Sequence, residues 1–427
     1  MKQRSYFSKT LITVCSLIFT ANFSFAQENN TLTLDSCFTM AKKNYPLVKQ
    51  MALVDQAKEY SIENANKNYL PTIVVNGQAS YQSQVTELPI KIPNLTLPSL
   101  NKDQYRIYGE INQPITDLFN VKNQKELINT SAEIESQRTE VELYKLNERI
   151  TNLYFGILLI DAQLRQTEIL KGDIQAGLDK TKAAIDNGAA LKSNANILRA
   201  EMLKADQRSV ELEANRKAYC EMLGLFINQP VDELTKLQTP ATVTQKTEVK
   251  RPELKLYELQ KQTFETQKKL LNARYLPKAG LFLQGGYGRP ALNMLSNAFE
   301  SYYIGGLRLN WNITGYYTLK KEKKILDINR SSTDLQSETF LFNTKLSMSQ
   351  QNREIRKYEE LIISDNEIVG LRESIKNTSK EQLQYGAITA NDYITYVNAE
   401  DQARQNLAMH QIQLLLAQYT YQNTTGF

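Results

Sequence analysis

The stretch from Tyr45 to Pro71, YPLVKQMALVDQAKEYSIENANKNYLP, has a counterpart from Arg251 to Pro277, RPELKLYELQKQTFETQKKLLNARYLP. Pro46 falls on Pro252 and Pro71 on Pro277, an offset of 206 at both ends (252 − 46 and 277 − 71), so no gap intervenes. Tyr69-Leu70-Pro71 thereby matches Tyr275-Leu276-Pro277. Each copy is a charged, helix-forming run halted by proline, because the residue before a proline avoids helical dihedrals. After each halt comes an alternating segment that reaches a tyrosine, Tyr81 or Tyr287, again 206 apart. A helix-to-strand switch made twice at one spacing predicts two similar halves, and such periodicity constrains the fold before any single motif does.

The period changes from helical to two at each halt. Ile73, Val75, Gly77, Ala79 and Tyr81 point one way, and Val74, Asn76, Gln78, Ser80 and Gln82 the other. A second run sets Tyr105, Ile107, Gly109, Ile111 and Gln113 against Arg106, Tyr108, Glu110 and Asn112. Between them, Pro89, Pro93 and Pro98 predict a loop over 87–102. In the second half Ala279, Leu281, Leu283, Gly285 and Tyr287 alternate with Phe282, Gln284 and Gly286. After a loop predicted over 290–301, Tyr303, Leu307, Leu309 and Trp311 alternate with Arg308, Asn310 and Asn312.

Long helices fill the rest. From about Val121 to Asn187 there is no proline, and Leu146, Ile150, Leu153, Ile157, Ile160 and Leu164 form a coiled-coil seam. Gly188-Ala189 breaks this run, and a second helix is expected from about Ser193 to Leu225. Gly386-Ala387 lies 198 residues after Gly188-Ala189 (386 − 188), with helices expected over about Tyr317–Tyr385 and Asn391–Tyr421. Asp35 is the expected cap of a short first helix.

Composition narrows the function. With 427 residues, 41% hydrophobic, and a mean hydropathy of −0.45, the chain lacks the runs of about 20 apolar residues that a membrane helix needs. Half-polar strands of a transmembrane β-barrel remain compatible. The net charge of +5 is spread over helices where lysine and glutamate interleave, so no nucleic-acid stripe is expected. The one histidine, His410, lies in a helical seam with Leu407 and Leu414 and reads as a core or interface residue. No catalytic triad, phosphate loop or metal motif is evident, so no enzyme activity, cofactor or metal is expected. Lys2, Arg4 and Lys9 precede an apolar run over 11–19, and Ser24-Phe25-Ala26 offers a cleavage site, so residues 1–26 are expected to be a signal peptide. Cys15 lies inside that run, which leaves its lipidation open. Cys37 and Cys220 read as small apolar fillers, with a disulfide between them left open.

Four half-polar strands are too few for a barrel, which takes about eight even when filled. Open sheet edges cannot face lipid. The chain is therefore expected to share a barrel with copies of itself. Three copies give twelve strands, the smallest sharing that leaves a channel, with the long helices continuing the tube. Arg106, Glu110, Gln284 and Arg308 are the expected pore-lining face, and Tyr81, Tyr105, Tyr287, Tyr303 and Trp311 the expected aromatic belt.

The pattern at this point resembles the TolC-like outer-membrane factor family, the outer-membrane efflux proteins. The resemblance is carried by Leu32-Thr33-Leu34-Asp35-Ser36-Cys37, the two Tyr-Leu-Pro stops, Asn312-Ile313-Thr314 and the two Gly-Ala breaks. It implies a mainly α protein with a membrane β part, built as a two-fold internal repeat of helix, strand, strand, long helix, long helix. It further implies a homotrimer with a 12-stranded transmembrane β-barrel on a periplasmic α-helical barrel. The implied layout is N-terminal helices over 27–71, strands over 72–114, long helices over 115–228, a connector over 229–250, a helix over 251–277, strands over 278–313, and long helices with a C-terminal tail over 314–427. The implied role is the exit duct of a tripartite efflux or type I secretion system in a Gram-negative outer membrane. Its partners would be outer-membrane lipid, a periplasmic adaptor (membrane fusion protein), and an inner-membrane pump of the RND or ABC type.

Two sets of residues carry over. Gly188, Ala189, Gly386 and Ala387 match the periplasmic tips that meet the adaptor, against the alternative of a turn without a partner. Asp392 matches an acid that rings the periplasmic constriction, against the alternative of a helix cap. The family's second acid corresponds to Thr395, and its basic lock position to Ile388, so the gate is expected to be held differently. The competing class is a periplasmic structural or adaptor coiled coil without a membrane pore.

Overall fold

The computed structural model describes residues 31–86, 100–232 and 234–427. The predicted signal peptide, Cys15 and the three loop prolines lie outside the described residues. In chain order the elements are β1 (Thr31–Leu32), α1 (Leu34–Asn44), a 3-10 turn (Pro46–Val48), α2 (Lys49–Lys67), β2 (Thr72–Tyr81), β3 (Asp103–Pro114), α3 (Leu118–Asp186) and α4 (Lys192–Ile227). There follow β4 (Lys236–Leu237), α5 (Pro252–Arg274), β5 (Lys278–Arg289), β6 (Glu300–Asn310), a second 3-10 turn (Ile313–Gly315), α6 (Tyr316–Gln384) and α7 (Ala390–Thr425).

Helices dominate. α3 and α6 have 69 residues each, about 100 Å at 1.5 Å per residue. α4 and α7 have 36 each. All four pairs of ends are 198 apart (316 − 118, 384 − 186, 390 − 192, 425 − 227). α3 packs on α4 and α6 on α7 as long hairpins, and α3 also packs on α7, which joins the halves. Among the described residues no helix is long and apolar enough to cross a membrane.

The seam on α3 is buried at Leu146, Ile150, Leu153, Ile157 and Ile160, with Leu164 half-buried. Its central part meets Leu34, Cys37 and Ala41 of α1 and Cys220, Leu223 and Ile227 of α4 in one core. Cys37 and Cys220 are both buried there and no disulfide joins them, and burial pushes the Cys37 thiol up to about 12. Tyr154 is fully buried in the same core, and its hydroxyl lies 2.7 Å from both Leu32 O and Gln238 O.

Two details differ from the sequence reading. The cap of α1 is Thr33, in a reciprocal capping box with Ser36, and Asp35 sits in the first turn, where a negative charge meets the helix N-terminus favourably. The connector carries β4, which pairs in parallel with β1. Two-residue strands have no periodicity to read. Tyr154→Phe should lower stability by about 1–2 kcal/mol, because it removes the buried hydroxyl donor that the Leu32 and Gln238 carbonyls share at the β1–β4 pair. Denaturant unfolding measures this, and an unchanged midpoint would contradict the assigned bonds.

Candidate functional site

β2, β3, β5 and β6 form one antiparallel sheet in that order. Directly opposed residues share a face, so the register decides what each face carries. Val75, Gly109, Gly285 and Tyr303 stand in one row, and Val74, Glu110, Gln284 and Ile304 in the next. Every odd-numbered strand residue is thus on one face and every even-numbered one on the other.

Away from an Asp103–Arg289 ion pair at its loop end, the odd face is apolar and open. Ile73 and Val75 are each 72% exposed, and Leu307 and Leu309 65% and 67%. The even face holds Arg106, Glu110, Gln284 and Arg308 together. It also holds three aromatics, Tyr108, Phe282 and Tyr302, laid against glycines. A Cβ on Gly286 would lie 2.6 Å from Tyr108 Cβ and 3.0 Å from Tyr302 Cζ. Gln284 Nε2 donates to the Tyr302 hydroxyl at 3.3 Å.

Of the five predicted belt aromatics, Tyr81, Tyr105, Tyr287 and Tyr303 are on the odd face, each in the loop half of its own strand, and they step by two residues from one strand to the next. Phe299, which the sequence reading passed over as loop, stacks between Tyr105 and Tyr287 at 6.3 and 5.7 Å. Trp311 lies past the end of β6, at the helical end of the sheet. Its Nε1 donates to Tyr275 O at 3.3 Å, and it meets Tyr316 edge-on. From Tyr303 to Trp311 is eight residues of chain (311 − 303), about 26 Å or about 20 Å in height for a strand tilted near 40°. Membrane barrels carry an apolar band of about 25 Å between two aromatic girdles.

At the far end of the helices, the two glycine breaks have the same construction. Gly188 and Gly386 adopt φ of 71° and 70°. Ala189 N–H donates to Ala184 O at 2.7 Å and Gly188 N–H to Ile185 O at 2.9 Å. Ala387 N–H donates to Gln382 O and Gly386 N–H to Leu383 O, at 2.9 and 3.2 Å. Both are Schellman caps, which need a left-handed residue and favour glycine. An exposed apolar residue flanks each: Leu191 near one, Tyr385 beside the other.

Beneath the tips Leu170, Ile174 and Leu178 of α3, Leu198 of α4 and Tyr393, Ile394 and Val397 of α7 make a second core. Tyr393 lies over Gly177, where a Cβ would come within 2.4 Å of its ring. Its hydroxyl donates to Asp173 O at 3.0 Å, and burial pushes it up to about 12. The Asp173 carboxylate takes a 2.8 Å bond from Lys376, which also faces Glu400 at 3.3 Å. The sequence reading missed this network, whose partners are scattered over three helices. Ile388, at the expected lock position, packs against the tip core, and Thr395 bonds its own helix at Asn391 O.

Asp392 is exposed at the third position of α7, in a capping box with Thr389. Its Oδ2 accepts from the Thr389 hydroxyl at 2.7 Å and the Thr389 amide at 3.0 Å. These bonds hold its carboxyl below the usual 3.8. His410 Nδ1 is 2.6 Å from Asp365 Oδ2, which ties α7 to α6, and its ring packs on Tyr358. Among the described residues no cluster of His, Cys, Asp and Glu could hold a metal.

No family model matches the chain, and no curated relative matches it. Solved structures do. The chain resembles CusC, a protein that forms a transmembrane channel, with a TM-score of 0.69 at 13% identity over 92% of this chain and 91% of that one. It resembles VceC, an outer membrane protein from Vibrio cholerae, with a TM-score of 0.66 at 12% identity over 92% and 96% of the two chains. It resembles the open state of the Neisseria gonorrhoeae MtrE outer membrane channel, with a TM-score of 0.64 at 12% identity over 92% and 88%. At such identity the likeness is one of fold: the chain shares the fold of these solved outer-membrane channels over nearly its whole length.

Because the folded Asp392 carboxyl titrates below its ordinary value, any contribution of its charge is present above about pH 4 and lost as pH falls through the folded value. Asp392→Asn should therefore remove whatever cation affinity the tips have at pH 5–8 without introducing a pH step in that range. Titration of divalent-cation binding measures this, and a wild-type step near pH 6 that the variant lacks would contradict the assignment.

Proposed function

We propose that this protein is an outer-membrane channel of the TolC-like kind, a passive exit duct of an efflux or type I secretion system. The observation that carries this reading is the two-faced sheet with two unpaired edges. An exposed face with Ile73, Val75, Leu307 and Leu309 suits lipid, and the opposite face with Arg106, Glu110, Gln284 and Arg308 suits water. A soluble coiled-coil reading would leave the apolar face in water with nothing to cover it.

Three copies supply twelve strands, four from each. β2 and β6 run in opposite directions, since the sheet is antiparallel throughout. β6 of one copy can thus pair with β2 of the next without breaking the alternation, and rotation closes the ring. The tyrosines toward the loop end and Trp311 at the helical end support the membrane position, with the α3–α4 and α6–α7 hairpins extending into the periplasm. The equal lengths of the paired long helices, all 198 residues apart, support an origin by internal duplication.

The glycine tips are the proposed docking points for a periplasmic adaptor, and through it for an inner-membrane pump. Gly188 and Gly386 keep their surroundings open, with no atom within 4 Å of a built Cβ, and flanking Leu191 and Tyr385 offer apolar contact. Asp392 lies four residues into the chain after Ile388, close to the tips, where three copies would ring the axis.

Purified from membranes, the wild type should have the mass of three chains and open pores in a planar bilayer. A water-soluble single chain without conductance would refute the channel. Gly188→Leu and Gly386→Leu each force a branched side chain into a left-handed position at a cost of about 1–2 kcal/mol. They should abolish export while leaving the three-chain mass intact, whereas export at the wild-type rate would argue against docking at the tips.

A further inference from the structure

The even face of the sheet carries an ion pair that spans three strands. Glu110 is on β3 and Arg308 on β6, with β5 between them. Arg308 Nη1 nevertheless donates to Glu110 Oε1 at 2.7 Å. Glycine makes the crossing possible. Arg308 stands opposite Gly280, so no side chain of β5 blocks it there. Phe282 stands opposite Gly306, and a Cβ on Gly306 would approach its ring to 3.3 Å. The ring thus lies along the wall, and the Arg308 guanidinium rests over it, 4.5 Å from the centroid. This stack supports the long arginine across the strand, which an ordinary surface pair lacks. The Glu110 side chain is 17% exposed and that of Arg308 49%.

The other charges of this face also have a charge of opposite sign beside them or in the same row. On the four strands its charged residues are Arg106, Glu110, Lys278, Glu300 and Arg308. Lys278 faces Asp117 at 3.4 Å at the helical end. Arg106 and Glu300 share one register row with Gly288 between them. Glu110 stands in the middle of the face, and Arg308 reaches it from the row of Gly280 and Pro114, nearer the helical end.

Resting on the reading of this face as the bore, we propose that the Glu110–Arg308 strut is the selectivity-setting element of the channel: it cancels the charge of the mid-barrel wall, so that solutes of either sign pass. Broken on one side, it becomes a ring of three like charges. Such a ring about 10 Å from a permeating ion, with one Debye length of screening at 0.1 M salt, changes the concentration of cation and anion by about twofold in opposite directions, and so their ratio by about fourfold.

The test is the potassium-to-chloride permeability ratio of the full chain in planar bilayers under a salt gradient, with assembly checked by mass. Glu110→Gln should shift the ratio about fourfold toward chloride, and Arg308→Gln about fourfold toward potassium. The double variant E110Q/R308Q should return to the wild-type ratio. To avoid asking an unpaired charge to survive folding, E110Q/R308C is assembled neutral and then treated with a cationic thiol reagent, which should shift it toward chloride. Cys37 and Cys220 are buried and do not compete. Conducting single variants with the wild-type ratio, or a treated E110Q/R308C that does not shift, would overturn the strut while leaving the channel standing. Absence of any pore from the wild type would overturn both.

Discussion

Unpaired backbone at the two edges of the four-stranded sheet is the constraint on which the rest of the structure depends. β2 has 10 residues and β6 has 11, and about half of the backbone groups on each point away from the sheet. That leaves on the order of ten donors and acceptors per edge. In hydrocarbon each would cost several kcal/mol, a sum well beyond the 5–15 kcal/mol by which a folded domain exceeds its unfolded chain. Water can satisfy the edges, but water is a poor partner for the exposed odd face. Pairing of edge with edge between copies meets both demands at once, and the even number of antiparallel strands permits it.

The remaining architecture follows from how each half enters and leaves that sheet. Proline ends α2 and α5 and delivers the chain to a strand. The strands return it to a helix about 100 Å long, and a left-handed glycine turns it back. The halves do not merely sit side by side. Tyr393 and Lys376 of the second half both bond Asp173 of the first, and Gly177 makes room for the tyrosine ring. The far ends of the helical hairpins are therefore held as one piece within a protomer, with Asp392 at the start of α7 fixed by its cap.

Much of this was legible in the sequence, because it was written in periods. The Tyr-Leu-Pro stops at Tyr69 and Tyr275, the alternation through β2, β3, β5 and β6, and the Gly-Ala breaks each rest on a local rule that tertiary context did not override. What was not legible depends on register or on distance along the chain. Glu110 and Arg308 are 198 residues apart (308 − 110) and two strands apart, and no pattern within either strand announces their contact. Trp311 continues the alternation of β6 in sequence, but Asn310 ends the strand and the indole turns to Tyr275. β1 and β4 are too short for any periodicity, and Thr33 competed with Asp35 for a cap that only the geometry of Ser36 decides. Phe299 looked like loop because its stacking partners, Tyr105 and Tyr287, come from other strands.

Amide hydrogen exchange of the membrane-embedded protein tests the central claim most directly. If copies pair through their edges, the outward-facing amides of β2 and β6 should exchange as slowly as those of the inner strands β3 and β5. Fast exchange at alternate residues along β2 and β6, beside protected β3 and β5, would mean that the edges are open and that the sheet closes on nothing.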